Sequence, residues 1–307
     1  MKTLSKSLSR VLAHLLLLLL AGTGLTAQAA TTYAKTRYPI VLVHGMSGFD
    51  TILGVDYFYK VPDDLRANGA VVLVAEVSQF NDNTVRGEQL LKQMKQWAAA
   101  KGYKKFNLIA HSQGGPTARY VAGVAPGLVA SLTSVGSPHA MPKEDASNNP
   151  LGQLLTNYAK VVAAAGATID WLSGNSNLPQ DPAALQQWAE NTEAFNAQFP
   201  DGRPTSYCGA GPERSTKTGI YYYSATGNKA KTNGWDVSDV AMMEVEGVPS
   251  DGLVPVCSTH WGKVLRDDFP WNHFDEMNHV FGLLGSGAPD PVAFYRTQAN
   301  RLKFKLL

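Results

Sequence analysis

Short runs of apolar residues recur along the chain and predict buried strands. Each run is bounded by glycine, proline or polar residues and lacks strict alternation, as expected for strands covered on both faces of a parallel sheet. The predicted strands are 39–43, 70–74, 106–109, 132–135 and 220–224.

Apolar residues at helical spacing lie between these runs. Val85, Leu90, Leu91, Met94 and Trp97 mark one helix. A second helix is predicted to begin near Gly115-Pro116, where proline suits the first turn, and a last one to run from about Pro291 to Leu302. Strands that alternate with helices predict a doubly wound, mostly parallel α/β sheet, whose active-site loops lie at the carboxyl ends of the strands.

Residues 139–215 break this alternation. An apolar stripe at helical spacing runs from Leu151 to Leu172 and ends in the Gly-, Asn- and Ser-containing segment 173–176. We interpret the part from about 139 to 190 as a helical insertion over the sheet. The pattern leaves open whether it is a core-packed helix or a lid.

The N-terminus has the order of a secretory signal peptide. Lys2, Lys6 and Arg10 precede an apolar run over 11–20, and small residues follow up to Ala29. The run is about half of the roughly twenty residues that span a bilayer, which disfavours a transmembrane anchor. We predict cleavage near residue 29 or 30, which leaves 31–307 as a single α/β domain that is secreted.

The net charge and the two cysteines limit the class of partner and the type of covalent link that the chain can have. The formal net charge of +2 falls to −1 once the three cations of residues 1–30 are removed, so charge does not indicate a nucleic-acid partner. Cys208 and Cys257 are an even pair in a chain predicted to be exported, which favours a disulfide over two free thiols.

Ser112 is the candidate nucleophile. The strand predicted over 106–109 leads into Ala110-His111-Ser112-Gln113-Gly114, and a helix follows. A serine on such a strand-to-helix turn holds its hydroxyl away from the backbone, near a helix amino end that favours negative charge. The usual pattern is G-x-S-x-G, and Ala110 adds one methyl group to it.

A serine nucleophile needs a base and an acid that orients the base, here in the chain order serine, acid, histidine. The candidate bases after Ser112 are His139, His260, His273 and His279. His273 and His279 lie late in the chain, before the last predicted helix, where the base is expected. The sequence pattern favours His273 over His279 only weakly. Asp251, before a tight turn, is the better acid by position, and its rivals are Asp236 and Asp239.

Two backbone N–H groups are candidates for an oxyanion hole. The first predicted strand leads into His44-Gly45-Met46, and the loop at Met46 can supply one donor. The N–H of Gln113, next to the nucleophile, can supply the other. His44 and His111 are then interpreted as packing or loop-shaping residues.

These segments resemble the secreted bacterial lipases of the Pseudomonas and Burkholderia type, which are α/β-hydrolases. The resemblance covers nearly the whole chain after the signal, and it rests on 38–46, 54–57, 85–90, 111–116, 251–254, 272–276, 295–296 and 299–302. It implies a triad of Ser112, Asp251 and His273, and so selects the base that the pattern left open. It also implies oxyanion donors at Met46 and Gln113 and a Cys208–Cys257 disulfide.

The resemblance further implies one structural calcium ion near the base. Its carboxylate ligands fall on Asp236 and Asp275, and its backbone carbonyl ligands on His279 and Leu283. Calcium takes oxygen ligands, and Asp275 lies two residues from His273, so the ion would hold the loop of the base.

The same resemblance implies a substrate and a partner. The substrate is a lipid ester at an oil–water interface, and the partner is a foldase that assists folding during export through the periplasm. Ala110 and the region around 139–190 depart from the family, so substrate range transfers least. A carboxylesterase acting on short soluble esters is one alternative, and a binding protein on a decayed hydrolase scaffold is another.

Overall fold

The computed structural model describes residues 31–46, 48, 51–52, 55–140, 178–181, 183–240, 242–244, 247–279 and 281–307. Within it, Thr32–Leu307 form one compact unit. The signal peptide predicted over 1–30 and the apolar stripe from Leu151 to Leu172 lie outside the described residues. No helix among the residues described has the length and apolar character that crossing a membrane requires.

A six-stranded parallel sheet forms the centre of the molecule, with the strand order β4-β1-β5-β6-β7-β8. Its strands are β1 (Ile40–Val43), β4 (Val72–Ala75), β5 (Phe106–His111), β6 (Val129–Val135), β7 (Tyr221–Gly227) and β8 (Lys263–Phe269). The short strands β2 (Thr51–Ile52) and β3 (Val55–Asp56) form a separate antiparallel pair. Because all neighbouring strands of the main sheet are parallel, their carboxyl ends lie at the same edge.

Helices cover both faces of the sheet. They are α1 (Val61–Ala67), α2 (Asn83–Lys101), α3 (Gly114–Val124), α4 (Ala184–Gln198) and α5 (Pro291–Phe304). Side chains of α2 and α3 pack in one apolar cluster with Val41 and Val43 of β1. Those of α1 and α5 pack in another with Ile40 and Leu42, so alternate residues of β1 face opposite clusters. The doubly wound α/β fold predicted from the sequence is confirmed.

The predicted elements match the structure with small shifts. The five predicted strands correspond to β1, β4, β5, β6 and β7, and the three predicted helices to α2, α3 and α5. Strands β2, β3 and β8 and helices α1 and α4 were not predicted. The carboxyl ends of β1 and β5, and the loops after β7 and β8, position the residues described next.

Candidate active site

Ser112 lies on the turn between β5 and α3. Its φ of 54° is left-handed, which a residue with a side chain rarely adopts. Its N–H donates to the Val135 carbonyl at 2.9 Å, which ties the turn to the end of β6. A Cβ atom on Gly114 would collide with the carbonyl oxygens of Val43 and His44, so this position requires glycine. The strain and the close approach are those expected of a nucleophile turn.

The methyl group of Ala110 fits the fold. Ala110 is fully buried in the same apolar cluster as α2 and α3, and it pairs with Val43 of β1 and Ser134 of β6. The departure from the usual glycine therefore leaves the turn intact.

His273 and Asp251 form a buried pair. Nδ1 of His273 lies 2.7 Å from Oδ2 of Asp251, and the two residues are 3% and 0% exposed. The carboxylate can only accept, so Nδ1 carries the proton and the lone pair of the ring is on Nε2. The N–H of His273 also donates to the carbonyl of Asp251 at 2.9 Å, which fixes both residues relative to each other.

Asp251 is itself held in place by the tight turn that follows it. Its Oδ1 accepts from the N–H groups of Leu253 at 2.8 Å and Val254 at 2.7 Å. Both carboxylate oxygens therefore have partners. A buried carboxylate with this many donors keeps one orientation, and that orientation faces the imidazole.

The loop that carries His273, the candidate base, lies against the turn that carries Ser112, the candidate nucleophile. The rings of His273 and His111 are 4.5 Å apart between centroids, and His111 directly precedes Ser112. The other candidate bases lie in different contacts. His139 bonds the Ser134 hydroxyl, and His260 contacts Asp267 and the Gly209 carbonyl. The hydrogen bond of Asp251 to an imidazole is with His273.

The loop after β1 is fixed by Arg86 and by its own histidine. The Arg86 guanidinium donates to the carbonyls of His44 at 2.7 Å and Gly45 at 3.2 Å. His44 Nδ1 lies 2.9 Å from the Gly45 carbonyl, and its Nε2 accepts from the Val77 N–H. Burial, and then the positive charge of Arg86, lower the pKa of His44 to about 3, so the ring is neutral and forms both bonds.

The candidate oxyanion donors are the backbone N–H groups of Met46, directly after the His44-Gly45 segment, and Gln113, directly after Ser112. Met46 is buried after Gly45, and Gln113 is the N-cap residue of α3, directly before its first residue. Among the described residues, neither backbone N–H donates to a protein acceptor. The first N–H groups of a helix have no partner within it, so the Gln113 N–H remains available to an anion. The Gln113 side chain donates to the Asn81 carbonyl at 2.9 Å and holds the turn from the other side.

Two buried aspartates lie beside the base loop. Asp236 and Asp275 each use one carboxylate oxygen to accept a backbone N–H, from Ser238 at 2.8 Å and Asn272 at 3.0 Å. Their other oxygens, Oδ2 of Asp236 and Oδ1 of Asp275, are buried and have no partner in the described structure. Burial, together with repulsion by Asp236 and Asp239, raises the pKa of Asp275 to about 6.

This cluster fits a divalent cation. Unpaired buried carboxylate oxygens are costly, and two of them that repel each other are stabilised by an ion with oxygen ligands. His279 interacts electrostatically with Asp236 and so lies beside the cluster. The described contacts do not join Leu283, which is 40% exposed, to these aspartates.

A disulfide joins Cys208 to Cys257, with 4.3 Å between the two Cα atoms. The bond links the loop before β7 to the segment that follows Asp251. The expected pairing is confirmed.

Comparison with known proteins places this architecture in a family. Residues 38–209 match the family model described as the alpha/beta hydrolase fold. A triacylglycerol lipase of Vibrio cholerae is 47% identical over 294 residues, which cover 92% of this chain and 93% of the relative. The triacylglycerol lipase of Burkholderia plantarii is 39% identical over 91% of this chain and 89% of its own length. That of Pseudomonas fragi is also 39% identical, over 88% of this chain and 97% of its own length. The chain belongs to the triacylglycerol lipases of the α/β-hydrolase family.

Solved structures agree with this lipase family at the level of the fold. The Staphylococcus hyicus lipase superposes with a TM-score of 0.54 at 17% identity, over 92% of this chain and 98% of its own. The mature form of the Bacillus licheniformis lipase BlEst2 superposes with a TM-score of 0.53 at 18% identity, over 81% of this chain and 89% of its own.

The sequence did not single out Tyr57 or Glu276, and the structure places both at the lipase site. Glu276 is fully buried, with Oε2 at 3.2 Å from His111 Nε2 and 3.8 Å from His273 Nδ1. Its Oε1 accepts from the Gly227 N–H at 2.6 Å. In the sequence, Glu276 lies three residues after a candidate base and at the end of the segment 272–276 that carries the family resemblance. His111 is the packed neighbour that the sequence predicted.

Proposed function

We propose that the protein hydrolyses acylglycerol esters as a triacylglycerol lipase, with Ser112 as nucleophile, His273 as base and Asp251 as the acid that orients it. The observation that carries the proposal is the buried 2.7 Å bond between His273 and Asp251, beside a left-handed serine turn. Membership of the lipase family supports the substrate class.

The chemistry is acyl transfer in two stages. His273 Nε2 takes the proton of Ser112 as the hydroxyl oxygen attacks the ester carbonyl carbon. The C–O bond to the alcohol then breaks, and His273 returns the proton to the leaving oxygen. A water molecule next attacks the carbonyl carbon of the acyl-enzyme and gives its proton to His273. The bond from that carbon to the Ser112 oxygen then breaks, His273 returns the proton to the Ser112 oxygen, and the fatty acid leaves.

The negative charge of each tetrahedral intermediate lies on the former carbonyl oxygen. The N–H groups of Met46 and Gln113 are proposed to donate to it, each contributing on the order of 3 kcal/mol. Fixed donors lose little energy to reorganisation, and the bonds from Arg86 to the His44-Gly45 carbonyls support a fixed loop.

A calcium ion would be held by the carboxylates of Asp236 and Asp275 and the backbone carbonyls of His279 and Leu283. It would supply a structural tie between two loops and no chemical step. Asp275 shares its 3₁₀ turn with Glu276 and lies two residues from His273, so the ion would steady the base.

Export is proposed on sequence grounds. Residues 1–30 would direct the chain to the periplasm and be removed, and a foldase would assist folding before secretion. The insertion around 139–190 is proposed to cover the acyl-binding cleft.

The test compares wild type with Ser112→Ala, each expressed with a lipase foldase. Wild type is expected to release fatty acid from emulsified long-chain triacylglycerol in a pH-stat, and Ser112→Ala to lose at least about 10³-fold in rate. Ser131→Ala removes another buried serine hydroxyl, which bonds Asn107 at 2.7 Å, and is expected to retain activity.

The other outcomes would overturn the proposal. Cleavage of only short soluble esters by wild type would indicate a carboxylesterase. An absence of hydrolysis, together with no fluorophosphonate labelling of Ser112, would indicate a binding protein.

A further inference from the structure

The Tyr57 hydroxyl lies between the loop after β1 and the nucleophile turn. Tyr57 is 4% exposed, and its oxygen lies 3.2 Å from the Gly45 nitrogen and 2.6 Å from His111 Nδ1. The phenol ring packs at 5.0 Å against Phe58, which is equally buried without a hydroxyl group. Burial of the ring therefore does not explain why a hydroxyl group is present.

The direction of each hydrogen bond follows from the groups involved. His111 Nε2 lies 3.0 Å from the carbonyl oxygen of His273, which can only accept, so Nε2 carries a proton. Burial lowers the pKa of His111 well below its usual value, so the ring is neutral and Nδ1 is an acceptor. Tyr57 therefore donates to His111, and the Gly45 N–H donates to Tyr57.

The chain of bonds thus runs from Gly45 through Tyr57 and His111 to the carbonyl of His273. Its first residue shares a peptide group with Met46, whose N–H is the proposed oxyanion donor. Its last residue is the proposed base. Arg86 holds the Gly45 carbonyl at 3.2 Å, so Tyr57 and Arg86 fix the two sides of the same residue.

We propose that Tyr57 is a positioning residue for ester hydrolysis, whose hydroxyl, acting through His111, keeps the oxyanion loop at a fixed distance from the base. This inference rests on the proposed function. A shift of about 1 Å in a reacting group can cost about 10²-fold in rate, so a bond that holds two such groups in place affects turnover more than substrate binding.

Tyr57→Phe tests the inference, because it removes the hydroxyl and keeps the ring. With a p-nitrophenyl ester, kcat is expected to fall roughly tenfold while KM stays within about twofold. The inhibition constant of phenylboronic acid, whose serine adduct places an oxygen in the oxyanion hole, is expected to rise by a similar factor. Tyr223→Phe is the matched control, since its buried phenol bonds Glu213 at 3.0 Å, outside the site.

His111→Gln interrupts the same chain at its second link. The variant with both Tyr57→Phe and His111→Gln is expected to have the same kcat as His111→Gln alone. Once the bond from Tyr57 to His111 is lost, removal of the Tyr57 hydroxyl has no further effect through that bond. If Tyr57→Phe does not fold, His111→Gln alone tests the inference. Its kcat is also expected to fall while its KM stays nearly unchanged.

A Tyr57→Phe enzyme with wild-type kcat and an unchanged boronic acid constant would overturn the inference, even if its melting temperature fell. Additive losses in the double variant would also overturn it. A failure of the proposed function is seen in the wild-type enzyme, which would not hydrolyse the ester. A failure of the inference about Tyr57 is seen only in the variants, so the two failures are distinguishable.

Discussion

At Ser112 the backbone adopts a left-handed conformation that the side chain disfavours, and the neighbouring residues compensate. The turn is held by the bond to Val135 and by the close approach of Gly114 to the end of β1. Strain of this kind costs of the order of 1–3 kcal/mol and persists where the surrounding structure overdetermines it. The motif made this residue predictable because its physics is local to five positions.

Long-range contacts were not predictable in the same way. Tyr57 and His111 are 54 residues apart, and His111 and Glu276 are 165 apart. No periodicity or spacing in a single sequence encodes such a pair, because it depends on how strands cross over in the fold. The choice of His273 over His279 came from family resemblance for the same reason.

His44 carries a prediction about acid stability. Its pKa is about 3 when folded, below the usual 6.5, so folding favours the neutral ring. The stabilisation is complete above pH 6.5 and is lost as the pH falls towards 3, by up to about 1.4 kcal/mol per pH unit. Urea unfolding of wild type and His44→Gln is expected to show a stability difference that favours wild type at pH 7.5 and shrinks steadily by pH 4.5. A difference that does not change with pH would contradict this.

At the scale of elements, the apolar strands were predictable, including β4 at one edge of the sheet, and the charged strand β8 at the other edge was not. β1, β5 and β6 are buried at every position; β1 is wholly apolar, and β5 and β6 are mostly apolar and contain no Lys, Arg, Asp or Glu. β8 lies at the edge of the sheet and contains Lys263, Arg266, Asp267 and Asp268, most of them exposed. Charged edge positions prevent pairing with other chains, and they also remove the apolar signal.

The two loops that carry Asp236 and Asp275 are already joined by side chains. The Asn272 amide donates to the Ser238 hydroxyl at 3.3 Å and to the Asp239 carboxylate at 2.8 Å. The unpaired oxygens of Asp236 and Asp275 lie beside this joint. A cation would therefore add to an existing connection between the loop after β7 and the loop of the base.

Calcium removal is expected to lower the melting temperature of wild type by roughly 5–10 °C, because an ion at 100 times its Kd adds about 2.7 kcal/mol. Asp275→Ala is expected to melt lower and to lose its response to EDTA. Asp268→Ala, which removes an exposed acid paired with Arg266, is the control and should keep the response. Identical melting of wild type with and without EDTA would rule out a structural ion.

At the scale of the whole molecule, the disulfide joins regions that the sheet alone does not connect. Cys208 and Cys257 are 49 residues apart, and the segment between them contains β7 and Asp251. A cross-link over this length restricts the unfolded chain far more than the folded one. It therefore stabilises the folded state against the unfolded chain, and the loop that it closes contains Asp251.

Replacement of both cysteines by serine is expected to reduce the free energy of unfolding by about 4 kcal/mol, as a loop of this length implies. Chemical denaturation measures the loss, and ester hydrolysis in the cold is expected to persist because neither cysteine contacts Ser112 or His273. A reductant should weaken wild type and leave the double variant unchanged. Equal stability of the two proteins would contradict the expectation.

The bond between His111 and the carbonyl of His273 spans 162 residues, and it has a consequence for synthesis in the cell. In the proposed triad, Ser112 leaves the ribosome long before Asp251 and His273 do. A nascent chain that has emerged only as far as residue 250 contains the Ser112 turn, Met46 and Gln113 but neither Asp251 nor His273. If Asp251 and His273 are the proposed acid and base, hydrolytic activity can therefore begin only after nearly the whole chain has been translated.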